Sequence, residues 1–419
     1  MQTQSISLAM NIRVIIDKLG PIADSEVDFS PFMVYTGESG LGKSYTALLW
    51  YNLAMAMTPP RLKDFVSKRM NGAAKEELSF KFKDFRMWLN QGVAASLGNL
   101  LGNNRFQCHV NYVFDHDDNE TIAIKRLYDE EPSNFIRFSV NGKMSVFPAD
   151  YDDHVFLMCY CLYGYIIDLC LGKAHLRPLI LPPARAAFMG ANMTSSIGMY
   201  QEFLEQLNYL KTPSMIASPD NQFYANCIAK LTDGKIVLEN GDVSLQFESG
   251  ETIPVSAAAS SVKELMPFLL MLQNGKHRQF NSLLFEEPEA HVHPKKQFLV
   301  MDMLARCCNR GMLIQMTTHS DYLLGRMNQL LTLGRIRKAS QEEFEAFCTS
   351  HKWNKNLYLE DEHIGAYYFK RQGGKVVIEK QDLSDGLPFS SFEESVRSQM
   401  ELSADLTDLA ERLGLNTNL

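Results

Sequence analysis

The sequence predicts an α/β fold: a mixed central sheet with an antiparallel β subdomain and helical insertions. Three observations carry this. A glycine-rich turn joins a strand-like run to a helix-like one near residue 40, and strand and helix patterns alternate after Ser260, which implies parallel strands. Between them lie alternating runs punctuated by Asn-Gly, a dipeptide that favours tight hairpin turns.

In chain order, Asn11–Leu19, Ser25–Phe29 and Phe32–Thr36 are rich in residues that suit a pleated surface and are bounded by turn formers, so they read as strands. From Tyr45 the apolar spacing is helical, and Pro59-Pro60 is expected to end that helix. Residues 61 to about 100 read as helical and locally basic, with Lys63, Lys68, Arg69, Lys75, Lys81, Lys83 and Arg86 among Phe65, Phe82, Phe85 and Trp88. Two readings of that segment stand: a nucleic-acid contact, or an amphipathic helix pair with its aromatics in the core and its lysines in water. Thr121–Tyr128 and Asn134–Phe147, the latter folded at Asn141-Gly142, predict antiparallel strands. Asn240-Gly241 predicts a second hairpin between Lys235–Leu238 and Val243–Phe247. A helix over Ser261–Leu272, a strand over Ser282–Glu286, a helix over Pro294–Cys308 and a strand over Met312–Thr317 follow. Beyond them Gly365–Lys370 and Lys375–Lys380 read as strands, and helix returns from about Ser390.

Composition bounds the function. With 419 residues, 46% of them hydrophobic and 21% charged, the chain can bury a large core. A net charge of −8 gives no global pull towards nucleic acid. The eight cysteines are irregularly spaced and the N-terminus has no signal-peptide pattern, so reduced thiols and a cytoplasmic location are expected. Val155–Gly172 approaches membrane-spanning length, but Asp168 interrupts it without a flanking basic cluster, and a buried helix in a protein with no membrane contact is the expectation.

The chemistry concentrates in three places. Gly37-Glu38-Ser39-Gly40-Leu41-Gly42-Lys43-Ser44 fits G-x-x-x-x-G-K-S between a predicted strand and a predicted helix. Glycines let backbone N–H groups turn inward around an anion, and the helix N-terminus adds partial positive charge. Lys43 would reach the β and γ phosphates of ATP, and Ser44 would place its hydroxyl on Mg²⁺. A second strand should be apolar and end in acid, as Leu283-Leu284-Phe285-Glu286-Glu287-Pro288-Glu289 does. Glu286 is expected in the Mg²⁺ shell and Glu287 to orient or deprotonate the attacking water. The third strand ends in Thr318-His319-Ser320, which makes His319 the expected γ-phosphate sensor. His291 and His293 without further ligands do not make a zinc site. Asp115 and Asp117 read as a solvated loop.

Together these motifs, with Leu19-Gly20-Pro21-Ile22 and Leu181-Pro182-Pro183-Ala184-Arg185, resemble the ABC-type ATPases of the RecF, SMC and OLD group. The Glu-Pro-Glu-Ala-His-Val-His-Pro run is especially similar to the OLD and RecF-like branch. The resemblance implies ATP and Mg²⁺ as cofactors and a dimer of heads, each nucleotide held by one phosphate loop and by a serine-glycine signature of the other head. Ala257–Leu265 occupies the signature position; Ser260 matches the serine, Ser261 stands in place of glycine, and Glu286 replaces a common aspartate, so slow hydrolysis is expected. It also divides the chain into 1–60 and 176–334 as two parts of the ATPase head, 61–175 as an inserted helical and β subdomain, and 335–419 as a C-terminal extension for partner docking. There is no room for long coiled coils after the phosphate loop or for a nuclease domain after residue 330, so the effector would be a separate subunit. Such heads resemble the ATPase subunits of bacterial antiphage systems with a nuclease or toxin partner. A RecF-like DNA-repair ATPase and a slow or non-hydrolysing ATP-sensing scaffold are the alternatives.

Overall fold

The computed structural model describes residues 10, 12–70, 77–128, 134–151, 153–189, 194–212, 220–239, 241–388 and 390–413. Lys75, Asn11 and Asn240, named above, lie outside them. The first strands are β1 (Ile12–Leu19), β2 (Ile22–Asp28) and β3 (Phe32–Gly37), then helix α1 (Lys43–Ala56). Pro59-Pro60 does not merely stop a helix: it opens α2 (Pro59–Arg69), because proline's missing N–H costs nothing in a first turn. The segment to residue 100 is not all helical either, since β4 (Glu77–Lys81) precedes α3 (Phe82–Leu101).

Four further strands follow: β5 (Cys108–Phe114), β6 (Thr121–Leu127), β7 (Phe135–Val140) and β8 (Lys143–Pro148), and then α4 (His154–Leu171). The strands β4-β6-β7-β8 make a separate antiparallel sheet, turned between β7 and β8 at Asn141-Gly142. By length and composition α4 could cross a membrane, but ten of its residues are buried and it packs on α2, β6, β7 and β8. Asp168 is matched there by Lys143 at 2.7 Å.

Next come β9 (Pro178–Leu181), α5 (Gly198–Leu210), α6 (Asn221–Thr232) and a small antiparallel sheet of β10 (Gly234–Glu239), β11 (Asp242–Phe247) and β12 (Thr252–Pro254). The expected alternation follows: α7 (Ser260–Gln273), β13 (Ser282–Glu286), α8 (Pro294–Asn309), β14 (Leu313–Thr317) and α9 (Asp321–Ala339). The chain closes with α10 (Gln341–Ser350), β15 (Ile364–Gln372), β16 (Lys375–Lys380) and α11 (Ser390–Arg412).

The main sheet runs β5-β1-β2-β16-β15-β3-β14-β13-β9. Strands β15, β3, β14, β13 and β9 are mutually parallel; β1 is antiparallel to β5 and β2, β16 is antiparallel to β15, and β16 meets β2 in parallel. Side chains alternate across a strand. On β13, Ser282 accepts a hydrogen bond from Trp50 of α1, and Phe285 meets Phe268 of α7, so these helices cover opposite faces. Glu286 shares parity with Ser282 and therefore lies on the α1 side. The separation of 335–419 as an extension needs correcting: residue 334 falls inside α9, and β15 and β16 sit within the main sheet between β3 and β2. Likewise β5, within the expected insertion, pairs with β1.

Candidate functional site

Parallel pairing lines up the strand ends. Tyr35 lies opposite Thr317 and Thr317 opposite Glu286, so the phosphate-loop segment, the carboxylates and Thr318-His319 leave the sheet at one edge. Ligands in open α/β sheets bind outside that carboxyl edge.

The loop from Gly37 to Gly42 turns through three left-handed glycines, at φ 125, 77 and 96° for Gly37, Gly40 and Gly42. At Gly37 a side chain is also sterically excluded, because a Cβ would lie 2.5 Å from the Phe369 carbonyl. Glu38, Ser39 and Gly40 are exposed, Leu41 and Lys43 are buried, and Gly42 is the N-cap of α1. Lys43 donates from Nζ to the Gly37 and Glu38 carbonyls, both at 2.8 Å, and so braces the loop. Burial lowers its ammonium to about 8, against the attraction of Glu287, Glu289 and Glu286. The ammonium is still mostly charged at neutral pH, and an arriving polyphosphate would hold it so more firmly.

Glu286 is buried at the end of β13, and burial pushes its carboxyl up to about 7 although a hydrogen bond with Ser44 favours the charged form. Its Oε1 has no hydrogen-bond partner. An orphaned buried carboxylate oxygen beside a serine hydroxyl fits a magnesium ion, whose ligands are hard oxygens; Ser44 and Glu286 are the residues that would hold it.

Glu287 is half-buried and adopts φ 45°, a left-handed conformation unusual for a non-glycine residue. Its N–H donates to the Thr317 carbonyl at 3.0 Å, which turns the chain out of the sheet immediately after Glu286. His319 is also half-buried, and its backbone N–H donates to Oε1 of half-buried Glu289 at 2.6 Å. Burial and, next, the Lys43 charge hold its imidazole below the usual range, with Glu287 opposing. Lys43, Glu287 and His319 are thus within electrostatic reach of one another. A neutral imidazole beside a lysine is a hydrogen-bonding group that tolerates an anion without needing to be one partner of an ion pair.

Ser260 stands exposed in the first turn of α7, with Ser261 half-buried behind it. Among the described residues, neither makes a hydrogen bond to the phosphate loop of its own chain. Glu289 and Arg185 were given no role by the sequence reading. Glu289 carried one signal, a third acid two residues beyond a paired-acid strand end; Arg185 acts through contacts that no local pattern discloses. His293 is an N-cap for α8, accepting from the Lys295 N–H through Nδ1, and His291 has φ 60° in the turn before it. Both are turn residues here.

Residues 194–324 match the family model described as "AAA ATPase domain", a stretch holding Ser260, Glu286, Glu287 and His319. Over that stretch the chain is similar to an ATPase family, in keeping with the resemblance of its motifs to ABC-type P-loop ATPases. No curated protein matches it. Among solved structures, the chain is similar to an SmcHead bound to the C-winged helix domain of ScpA, at 12% identity and TM-score 0.40, over 90% of this chain and 98% of that one. An SMC head domain from Thermotoga maritima matches at 11% identity and TM-score 0.35, over 88% and 98%. A Pyrococcus furiosus Smc head with an extended coiled coil, bound to the C-terminal domain of ScpA, matches at 11% and 0.38, over 92% and 98%.

The basic segment of the chain is largely occupied internally. Lys63 pairs with Asp153 at 3.0 Å, Lys68 with Asp64 at 2.8 Å and Arg86 with Asp118 at 2.6 Å, while Lys81 reaches the Asn119 carbonyl. Phe65, Phe82 and Phe85 are buried and in ring contact. That is the amphipathic arrangement, with aromatics inward. Asp117 accepts from the Asn119 N–H in an exposed turn.

Proposed function

We propose that this protein is an ATP-driven dimerisation switch of the cytoplasm. ATP would be held by Gly37–Ser44 of one copy and by Ser260–Ser261 of a second, so nucleotide binding closes two heads and hydrolysis reopens them. The convergence of Lys43, Ser44, Glu286, Glu287 and His319 at one sheet edge carries this reading. A magnesium ion at Ser44 and Glu286 would neutralise phosphate charge. Glu287, turned out of the sheet and in reach of Lys43, orients the attacking water and takes its proton; His319 reports the γ-phosphate through a hydrogen bond.

The output would be control of a separate effector, a nuclease or toxin subunit of an antiphage system. An exposed helical surface supports a protein partner: on α11, Val396, Met400, Leu402, Leu406 and Leu409 are all exposed, as is Leu413 just beyond it. The ion-paired basic segment disfavours a RecF-like DNA clamp there. Ser261 in place of a signature glycine favours the slow or non-hydrolysing scaffold as the second reading, since a side chain keeps α7 further from a phosphate.

ATP turnover and ATP-dependent assembly, measured on the native chain, Lys43→Ala and Glu287→Gln, test this. Lys43→Ala should lose both, and Glu287→Gln should keep ATP, accumulate as a dimer and turn over about 100-fold more slowly. No turnover in the native chain with ATP-induced dimers would select the scaffold; no turnover and no change of assembly would overturn the switch. The effector reading fails if the products of neighbouring genes, co-expressed with the ATPase, neither co-purify with it nor change its turnover.

A further inference from the structure

Arg185 follows β9, one residue after Ala184 in the left-handed region at φ 57°, and its side chain is wholly buried. Its guanidinium donates to three separate segments. Nη1 reaches the Leu181 and Pro182 carbonyls at 3.2 and 2.6 Å, Nε the Glu264 carbonyl of α7 at 3.0 Å, and Nη1 and Nη2 the Glu286 and Glu287 carbonyls at 2.6 and 3.3 Å. The Glu264 carboxylate lies 3.5 Å from Nη2 and is buried too. The plane of the guanidinium stands over Phe285 of β13 at 4.8 Å.

The tied positions matter more than their number. Glu264 is four residues after Ser260, one turn along the same helix face. Glu286 and Glu287 are the residues whose carboxylates the proposed chemistry uses, and Arg185 grips their backbone carbonyls. A rigid fork leaves little slack. Displacing α7 moves the Glu264 carbonyl and carboxylate, and the guanidinium transmits that shift to the backbone at Glu287, whose left-handed conformation is held by Arg185 on the carbonyl side and Thr317 on the amide side.

We infer that Arg185 is a positioning residue that couples the signature turn of each head to its own catalytic carboxylates, so that the two nucleotide sites of a closed pair communicate. This rests on the head-closure reading above. In a closed pair, Ser260 of one head touches the nucleotide bound by the other. Engagement of that serine is therefore felt, through Glu264 and Arg185, at the Glu286-Glu287 turn serving the head's own nucleotide. Each site fires in response to occupancy of its neighbour, and turnover rises cooperatively with ATP.

The test is the ATP dependence of turnover for the native chain, Glu264→Gln, Arg185→Lys and the double variant, alongside binding of a fluorescent ATP analogue and ATP-induced dimerisation. Native turnover should show a Hill coefficient approaching the number of sites in the pair. Both single variants should bind the analogue normally and dimerise, yet turn over at least about 10-fold more slowly with a Hill coefficient near 1, the double variant being no worse than either. Should Arg185→Lys fail to fold, Glu264→Gln, which keeps the side-chain shape, carries the test alone. Variants that lower only the melting temperature and retain cooperative turnover would overturn the coupling while leaving head closure intact. A native chain that dimerises with ATP but has a Hill coefficient of 1 would do the same. Absence of any ATP-induced dimer would overturn head closure and the coupling together.

Discussion

Glu286 shows how much the site costs the fold. A carboxyl raised from 4.5 to about 7 stabilises the folded state only while protonated. Its contribution is therefore complete below the unfolded value and is lost as pH rises through about 7. Glu286→Gln, which cannot ionise, should accordingly stabilise the metal-free protein at pH 8 by roughly 3 kcal/mol, a shift of about 2.5 units converted at 1.36 kcal/mol each, and by almost nothing at pH 4. Urea midpoints at the two pH values check this; an equal effect at both would remove burial of the charge as the cause. The same substitution should abolish magnesium-dependent ATP binding. Loss of the His319 imidazole should act differently: His319→Ala keeps the backbone N–H that Glu289 accepts, so nucleotide affinity should hold while turnover falls about 100-fold. Equal losses in affinity and turnover, read from analogue binding and kcat, would deny it a role confined to the reacting phosphate. That Lys43, Ser44, Glu286 and Glu287 gather at one sheet edge was legible in the sequence, because phosphate and metal chemistry would demand those residue types at the ends of adjacent strands. The place of Arg185 was not, since its bonds to Glu264, Glu286 and Glu287 cross 79 to 102 residues.

Elements were legible where one periodicity ruled. The parallel strands β13 and β14 are legible nearly to the residue because both are mostly apolar, are buried throughout and end in polar groups. The stretch from Pro59 to Leu101 was misjudged because a five-residue strand with alternating burial, Glu77–Lys81, hides between two helices. Proline at a helix start was mistaken for proline at a helix end. Glycine gives a sharper case in α9, where Gly334 sits inside the helix. Helix propensity alone says alanine would gain about 1 kcal/mol there. Geometry says otherwise, for a Cβ at 334 would lie 1.8 Å from the Leu359 carbonyl. The loop before β15 packs directly on the bare helix backbone, with the Leu359 N–H donating to the Leu330 carbonyl at 2.9 Å. Gly334→Ala should therefore destabilise the protein by more than about 3 kcal/mol, visible as a lowered urea midpoint. A stabilised variant would show that α9 and that loop are not in contact in solution.

At the scale of the whole molecule, the end of the sequence turns out to support its beginning. Read locally, residues after 334 carry no chemical motif and looked like an addition to a finished head. In the sheet, β15 pairs with β3 from Ile364 opposite Phe32 to Phe369 opposite Gly37, and its backbone at Phe369 closes against the first glycine of the phosphate loop. Tyr35 and Tyr367 are buried neighbours across that pairing, and the Tyr367 hydroxyl accepts from the Asp28 N–H at 2.8 Å. No sequence period predicts such a pairing, because the partners are more than 300 residues apart. α11 has the opposite character, with Val396, Met400, Leu402, Leu406 and Leu409 facing solvent. These two parts of the C-terminal region should separate cleanly under truncation. A chain ending at Leu387 should melt within a few degrees of the full protein and bind the ATP analogue unchanged. A chain ending at Ser350 loses β15 and β16 and leaves the edges of β3 and β2 unpaired, which invites aggregation. It should show no cooperative melt and no analogue binding. If it folded and bound nucleotide, the C-terminal strands would be an accessory after all, and the phosphate loop would owe its shape to β3, β14 and α1 alone.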